Sequence, residues 1–183
     1  MKKKMRKSIL TRRKSMTQGE VDSLSKMICQ RIIDYHFLED ITDVCLYMPI
    51  QNEVNLSELI SILHNNNKTV WLPRIFSDKM DFFLFDKNTA LIEGAYHILE
   101  PDNLTKLYPN PNTLIIVPGA VFSINGDRIG YGGGYYDRYM EAYPNCQYLA
   151  VCYDYQVLEE IPYEQHDRRP NVILTEQRIF YIS

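Results

Sequence analysis

Val117-Pro-Gly-Ala-Val-Phe-Ser-Ile-Asn-Gly-Asp-Arg-Ile-Gly-Tyr-Gly-Gly-Gly-Tyr-Tyr-Asp-Arg138 decides how this chain folds. The apolar run Thr113 to Val117 that leads into it reads as a short buried strand. Pro118-Gly119 ends that strand, because proline withdraws a ladder donor and glycine permits a turn. Asn125-Gly126 predicts a tight turn with left-handed backbone angles. Gly130, Gly132, Gly133 and Gly134 follow, where the missing Cβ lets backbone approach a ligand, and Tyr135 to Tyr143 reads as a helix. A glycine loop at a helix N-terminus offers unpaired N–H groups to an anion, and phosphate is the anion most often served this way. The loop is not a dinucleotide fingerprint, since a match begun at Gly130 would need glycine where Tyr135 stands, and it lacks the Gly-Lys-Ser/Thr of a Walker loop. Glycines alone are equally compatible with a bare strand-to-helix turn; Asp137 and Arg138 directly behind them favour a ligand.

Outward from this loop, apolar periodicity alternates between strand and helix. Thr17-Gln-Gly-Glu20 forms a capping box, and Val21, Leu24, Ile28 and Ile32 at helical spacing carry a helix to about Asp34. Val44 to Met48 reads as a strand, Asn55 to His64 as a helix closed by Asn65-Asn-Asn67, and Thr69 to Leu72 as extended again. Met80 to Phe85, Gln147 to Cys152 and Val172 to Leu174 add strands, with a short helical pattern around Gln156. Strands alternating with amphipathic helices predict an α/β sheet covered on both faces, whose ligands collect beyond the strands' carboxyl ends. Pro49 to Glu53, Pro73-Arg74 and Pro118 to Asp137 all follow predicted strands, so one site built from these three segments is expected.

The 183 residues suit one domain with a substantial core, taken as residues 1–183. A net charge of −3 supplies no global field toward nucleic acid or an anionic membrane, so a small-molecule partner is expected. Cys29, Cys45, Cys146 and Cys152 show neither metal-binding nor disulfide spacing, which predicts reduced thiols in the cytosol. The basic N-terminal run lacks the apolar core of a signal peptide. Taken alone, Lys2, Lys3, Lys4, Arg6 and Lys7 read either as a phosphate clamp or as a solvated tail.

Arg128-Ile-Gly-Tyr-Gly-Gly-Gly-Tyr-Tyr-Asp-Arg138 resembles the signature of the 5-formyltetrahydrofolate cyclo-ligases, or methenyltetrahydrofolate synthetases. Lys2-Lys-Lys-Met-Arg6, Tyr47-Met-Pro-Ile-Gln-Asn-Glu53, Leu72-Pro-Arg74, Glu100-Pro101 and His166-Asp167 are similar to that family's other landmarks, in its order. The resemblance implies a three-layer αβα, Rossmann-like fold related to the sugar-phosphate isomerase and CoA-transferase-like folds. It implies ATP- and Mg2+-dependent conversion of 5-formyltetrahydrofolate to 5,10-methenyltetrahydrofolate, with release of ADP and phosphate, by a cytoplasmic monomer without nucleic-acid or membrane partners. ATP would be held by Lys2, Lys3, Lys4, Met5 and Arg6, and by Arg128, Ile129, Gly130, Tyr131, Gly132, Gly133, Gly134, Tyr135 and Tyr136. The folate would be held by Met48, Glu53 and the loop from Tyr131 to Tyr135, with Arg6, Arg128 and Tyr135 acting in catalysis. Asp137 and Asp167 would be the metal-associated carboxylates.

Each assignment has a plainer counterpart. Asp137 compensates a helix dipole just as well, Glu53 is also a charge ahead of a helix, and Met48 suits ordinary core packing. His166 suits an orienting role. The resemblance also exposes differences, since some members carry basic side chains where this chain has Tyr131 and Gly133, and the family often has aspartate where Asn171 stands. Arg128 or Arg138 is the expected compensating cation. Another phosphate-handling α/β enzyme, such as a small kinase or a sugar-phosphate isomerase, is the rival reading, and a nucleotide- or RNA-binding module the more distant one.

Overall fold

The computed structural model describes residues 1–182. Along the chain run α1 (Lys2–Lys14), α2 (Gln18–Asp34), β1 (Asp43–Cys45), α3 (Ser57–Asn65), β2 (Thr69–Phe76), β3 (Lys79–Leu84), β4 (Leu91–Glu93), β5 (Leu99–Pro101) and β6 (Thr113–Val117). They are followed by β7 (Val121–Ser123), β8 (Arg128–Ile129), α4 (Tyr135–Ala142), β9 (Gln147–Val151), β10 (Val157–Leu158), β11 (Val172–Leu174) and β12 (Ile179–Tyr181). Seven strands make the central sheet in the order β12-β11-β9-β6-β1-β2-β3. The five inner strands are mutually parallel, and the edges β3 and β12 are antiparallel.

Strand alternation sends side chains to two separate cores. Leu114 and Ile116 of β6 and Val44 of β1 face Ile28, Ile32, Leu59 and Leu63 of α2 and α3. Ile115, Val117 and Cys45 face the opposite side, where Tyr139 and Met140 of α4 pack with Phe82 and Phe122. The protein is thus a mixed α/β structure whose mostly parallel sheet has helices on both faces. No helix among the described residues is long and apolar enough to cross a membrane.

β6 and β11 have the bounds expected from sequence, and Thr17 and Glu20 form the reciprocal capping box that starts α2. β1 is shorter than its apolar run, ending at Cys45, and the following residues pass into the site loop. β2 continues through Pro73 to Phe76, paired along that length with β3. In the predicted Asn125-Gly126 turn only Gly126 takes a positive φ, of 92°. The helical pattern near Gln156 is a single 3-10 turn, Asp154–Gln156.

The largest departure is α1, which the charge run concealed. Its apolar residues Met5, Ile9 and Leu10 pack on a small cluster of Ala120, Val121, Ile129 and Ile161. This docks α1 on the three-stranded sheet β10-β7-β8 beside the glycine loop.

Candidate active site

A cavity of about 800 Å³ opens beyond the ends of β1 and β6 and beside Pro73 and Ile75 of β2, in the size range of small-molecule sites. It is lined by the three expected segments and by Lys2 and Arg6 of α1. Spacing explains which cations reach it: Lys2 and Arg6, four residues apart, share one helix face with the buried Arg13 seven residues further on, while Lys3 and Lys4 are exposed on others. Met5 packs in the small apolar cluster.

The glycine loop keeps its predicted geometry. Gly134 is the residue before α4 with φ 65°, and no side chain caps the helix, so the first N–H groups lack a side-chain partner. Gly132, at φ 104°, needs a residue without Cβ, and the nearest atom to a Cβ there would be the Arg6 guanidinium, 3.5 Å away. Arg6 therefore lies over the loop with its buried Nε unpartnered among the described residues. Tyr135 lines the cavity and meets Tyr96 from the β4–β5 hairpin, with 3.3 Å between hydroxyls and the rings edge to face at 6.4 Å. The Pro-Arg and Glu-Pro landmarks hold that hairpin in place. Arg74 pairs with Glu100 at 3.6 Å, and Glu100 accepts hydrogen bonds from the N–H groups of Ile75 and Ala95.

At the deep end stands Glu53, 5% exposed. Its Oε2 accepts from the Ile50 N–H at 2.9 Å, and its Oε1 accepts from the Tyr131 hydroxyl. Tyr131 is 37% exposed overall, with its hydroxyl inserted between Glu53 and Arg13. Burial pushes the Glu53 carboxyl above the ordinary range, opposed first by the charge of Arg13 and then by these hydrogen bonds. Met48 both lines the cavity and packs against the first core.

At the outer end the acidic residues are already paired. Arg128, 6% exposed, donates to Asp137 Oδ1 at 2.8 Å, and the Arg168 N–H donates to the same oxygen at 3.1 Å. Lys2 donates to Asp167 at 2.6 Å and sits 3.3 Å from Glu164. Burial raises the Asp167 pKa, but hydrogen bonds from Lys2 and the Glu164 backbone bring it below the ordinary range. Lys2 is raised for the reciprocal reason, its partners outweighing its own desolvation. His166 is 73% exposed, 3.3 Å from Glu164 and 3.8 Å from Asp167, a flanking position.

Of the two candidate compensating arginines, Arg128 lines the cavity. Arg138 instead lies over the Tyr135 ring and donates to the Asp78 carbonyl. Asn171 bridges β9 and β11, accepting from the Tyr148 N–H at 2.7 Å and donating its own N–H back to the Tyr148 carbonyl. It does not line this cavity. Sequence reasoning missed Arg13, Tyr96 and Glu164; the spacing of Arg13 from Arg6 was the one available signal.

A family model described as "5-formyltetrahydrofolate cyclo-ligase family" matches residues 1–176. The chain belongs to the 5-formyltetrahydrofolate cyclo-ligase family. It is 29% identical to the probable 5-formyltetrahydrofolate cyclo-ligase of Schizosaccharomyces pombe, with 87% of each chain covered. Its identity to the Haemophilus influenzae 5-formyltetrahydrofolate cyclo-ligase is 25%, over 91% of this chain and 92% of the relative. Among solved structures it is similar to the 5,10-methenyltetrahydrofolate synthetase of Aquifex aeolicus, with a TM-score of 0.88 and 28% identity over 99% of this chain and 92% of that one. The Mycoplasma pneumoniae 5,10-methenyltetrahydrofolate synthetase shares the fold, with a TM-score of 0.78, 24% identity and coverage of 96% and 98%. The six landmarks on which the cyclo-ligase reading rests therefore mark a family membership that spans nearly the whole chain.

Proposed function

We propose that this cyclo-ligase family member converts 5-formyltetrahydrofolate and ATP to 5,10-methenyltetrahydrofolate, ADP and phosphate in the cavity described above. The observation that carries the reading is the convergence on one cavity of an ionisable carboxylate at the deep end with a glycine loop and basic side chains at the other. A pterin presents adjacent N–H donors on its amino-pyrimidinone edge, and Glu53 presents carboxylate oxygens to them. A triphosphate presents oxygens, and the α4 N-terminus with Arg6, Lys2 and Arg128 presents donors and positive charge.

In this reaction the formyl oxygen takes the γ-phosphoryl group of ATP. N10 then attacks the activated carbon and loses its proton, and the ring closes as phosphate leaves with the former formyl oxygen. No protein nucleophile is required, and the demand is for positioning and neutralisation of phosphoryl charge. Arg6 and the loop N–H groups supply that neutralisation, Tyr135 orients the reacting end, and Tyr131 ties the loop to the folate carboxylate.

Among the described residues no three His, Cys, Asp or Glu side chains cluster as a metal site. Magnesium needs only one or two carboxylates when phosphate oxygens and water complete its shell, and Asp137 and Asp167 fit that requirement. When bound, the ion would offset charge on the transferred phosphoryl group. We further propose that residues 1–183 act as a single domain, as a cytoplasmic monomer, with kinship to the sugar-phosphate isomerase and CoA-transferase-like folds.

The test is the absorbance of methenyltetrahydrofolate formed from 5-formyltetrahydrofolate by the purified protein, with ADP released in equal amount and only when ATP and a divalent metal are both supplied. ATP hydrolysis indifferent to the folate would overturn the reading.

A further inference from the structure

We propose that Arg13 is a positioning residue that fixes Glu53 as an ionised carboxylate and Tyr131 as its neutral donor, and thereby sets the site's preference for a ring with adjacent N–H donors. This rests on the folate reading above. Arg13 is 1% exposed and does not line the cavity, so any effect on substrate passes through its neighbours.

The direction of each hydrogen bond follows from donor chemistry. A guanidinium has five donors and no acceptor, so in the 2.7 Å contact from Arg13 to Tyr131 the phenol oxygen must accept. The single proton of Tyr131 is then free to point elsewhere, and it points at Glu53 Oε1. Glu53 Oε2 accepts from the Ile50 N–H, so both oxygens act as acceptors, the pattern of a carboxylate. Arg13 stands 3.9 Å from Oε1.

Its remaining donors brace the same structure. Nε donates to the Gln51 carbonyl at 2.9 Å and a terminal nitrogen to the Gly119 carbonyl at 3.4 Å, tying α1 to the Glu53 loop and to the chain just beyond β6. The Asn52 side chain closes the bracket by donating to the Arg13 carbonyl at 3.1 Å.

The other titratable groups facing Glu53 are phenols. Tyr47 beyond β1, Tyr136 in α4, Tyr153 beyond β9 and Tyr131 all have pKa values pushed up by burial, so they are neutral at physiological pH. Arg13 is thus the positive charge set against the burial of Glu53. Without it the carboxyl would hold its proton to higher pH and present a donor where the pterin edge also presents donors.

Two measurements test this on the full chain, for wild type, Arg13→Met and Arg13→Lys. The first follows the side-chain carboxyl carbon of Glu53 by NMR, its signal identified by its loss in Glu53→Gln. The second follows binding of 5-formyltetrahydrofolate by calorimetry and KM for both substrates across the neutral range. In Arg13→Met the carboxyl should titrate at higher pH than in wild type. Its folate affinity should fall about tenfold per pH unit below that new pKa and recover on the alkaline side. Arg13→Lys should restore the titration while keeping a raised folate KM, because a point charge cannot replace the guanidinium fork. ATP KM should stay unchanged in both. An unchanged Glu53 titration in Arg13→Met, or folate and ATP KM rising together in Arg13→Lys, overturns the inference. The Lys arm decides the matter even where the Met variant does not fold. A wild-type protein that shows the Arg13-dependent titration but neither binds nor converts 5-formyltetrahydrofolate sinks the functional reading and leaves the charge-setting role standing.

Discussion

The two ends of the cavity handle their carboxylates in opposite ways. At the deep end Glu53 is matched to Arg13, with side-chain exposures of 5% and 1%, and a phenol proton fills the space between them. At the outer end Asp167 is matched to Lys2, with exposures of 13% and 21%, by a single ammonium on a flexible stem. Breaking a buried pair by removing one partner is costly, typically about 3–5 kcal/mol, whereas an accessible pair is worth about 0–1 kcal/mol. On the proposed function, the deep end is a fixed template for a neutral ring, and the outer end holds charges in reserve for a triphosphate with its counter-ion to re-pair at small cost. Asp137 with Arg128 lies between these extremes, with side-chain exposures of 18% and 4% and both residues lining the cavity.

That contrast predicts a graded series of effects. The largest belongs to Asp137→Asn. Turnover should fall by on the order of a hundredfold or more, with partial recovery in excess magnesium, as for loss of one group that stabilises transition-state charge. Because Asp137 also neutralises buried Arg128, thermal or urea unfolding should show a loss of about 1–3 kcal/mol. Wild-type turnover and magnesium dependence in this variant would assign Asp137 to the helix dipole and leave Asp167 as the metal candidate.

Glu53→Gln comes next. Losing a charge-assisted hydrogen bond should weaken folate binding by about 1.5–3 kcal/mol with ATP binding unaffected, as read by calorimetry on each substrate. Equal weakening of both would break the idea that the two ends act independently.

Lys2→Met should raise the ATP KM severalfold but change stability by less than about 1 kcal/mol. The sign of its pH dependence is fixed by the two shifts. Asp167 is lowered, so its share is present above the unfolded pKa and is lost as pH falls through the folded one. Lys2 is raised, so its share is lost as pH rises through its own folded value. Urea titrations of wild type and variant should differ only between those limits, and less in high salt.

The smallest effect is expected for Asn171→Asp. The acceptor for the Tyr148 N–H is kept and the residue lies outside the cavity, so ATP, magnesium and folate dependence should match wild type in steady-state kinetics.

The sheet was legible in the sequence because its inner strands are short apolar runs with turn residues at their ends. β6 and β11 could be bounded to the residue for that reason. The glycine loop was legible because Gly132 and Gly134 take backbone angles that few other residues tolerate. α1 was not, since its first turn has no acidic residue and its start no capping side chain, and its three apolar contacts are diluted by cations. Arg13 was hidden for the same reason, because a buried arginine is recognisable only once its helix face is known. The Tyr96 hairpin left no local signal either: it is held by Glu100 and Arg74 through contacts distant in sequence, and Tyr96 itself adopts a positive φ of 58°.

The docking of α1 also imposes an order in time. Lys2 meets Asp167 across 165 residues of chain, and Arg13 meets Tyr131 across 118. During synthesis α1 leaves the ribosome well before these partners, and Lys2 meets Asp167 only when 165 further residues have followed. Closing such long loops is entropically slow to reward, so the half-built chain carries a cationic helix and a buried-type arginine with nothing yet to hold. The strands at the sheet's centre can pair before that moment. The nascent protein should therefore pass through a stage with an assembled central sheet and no site, and become competent to bind either substrate only once the chain through Asp167 has emerged.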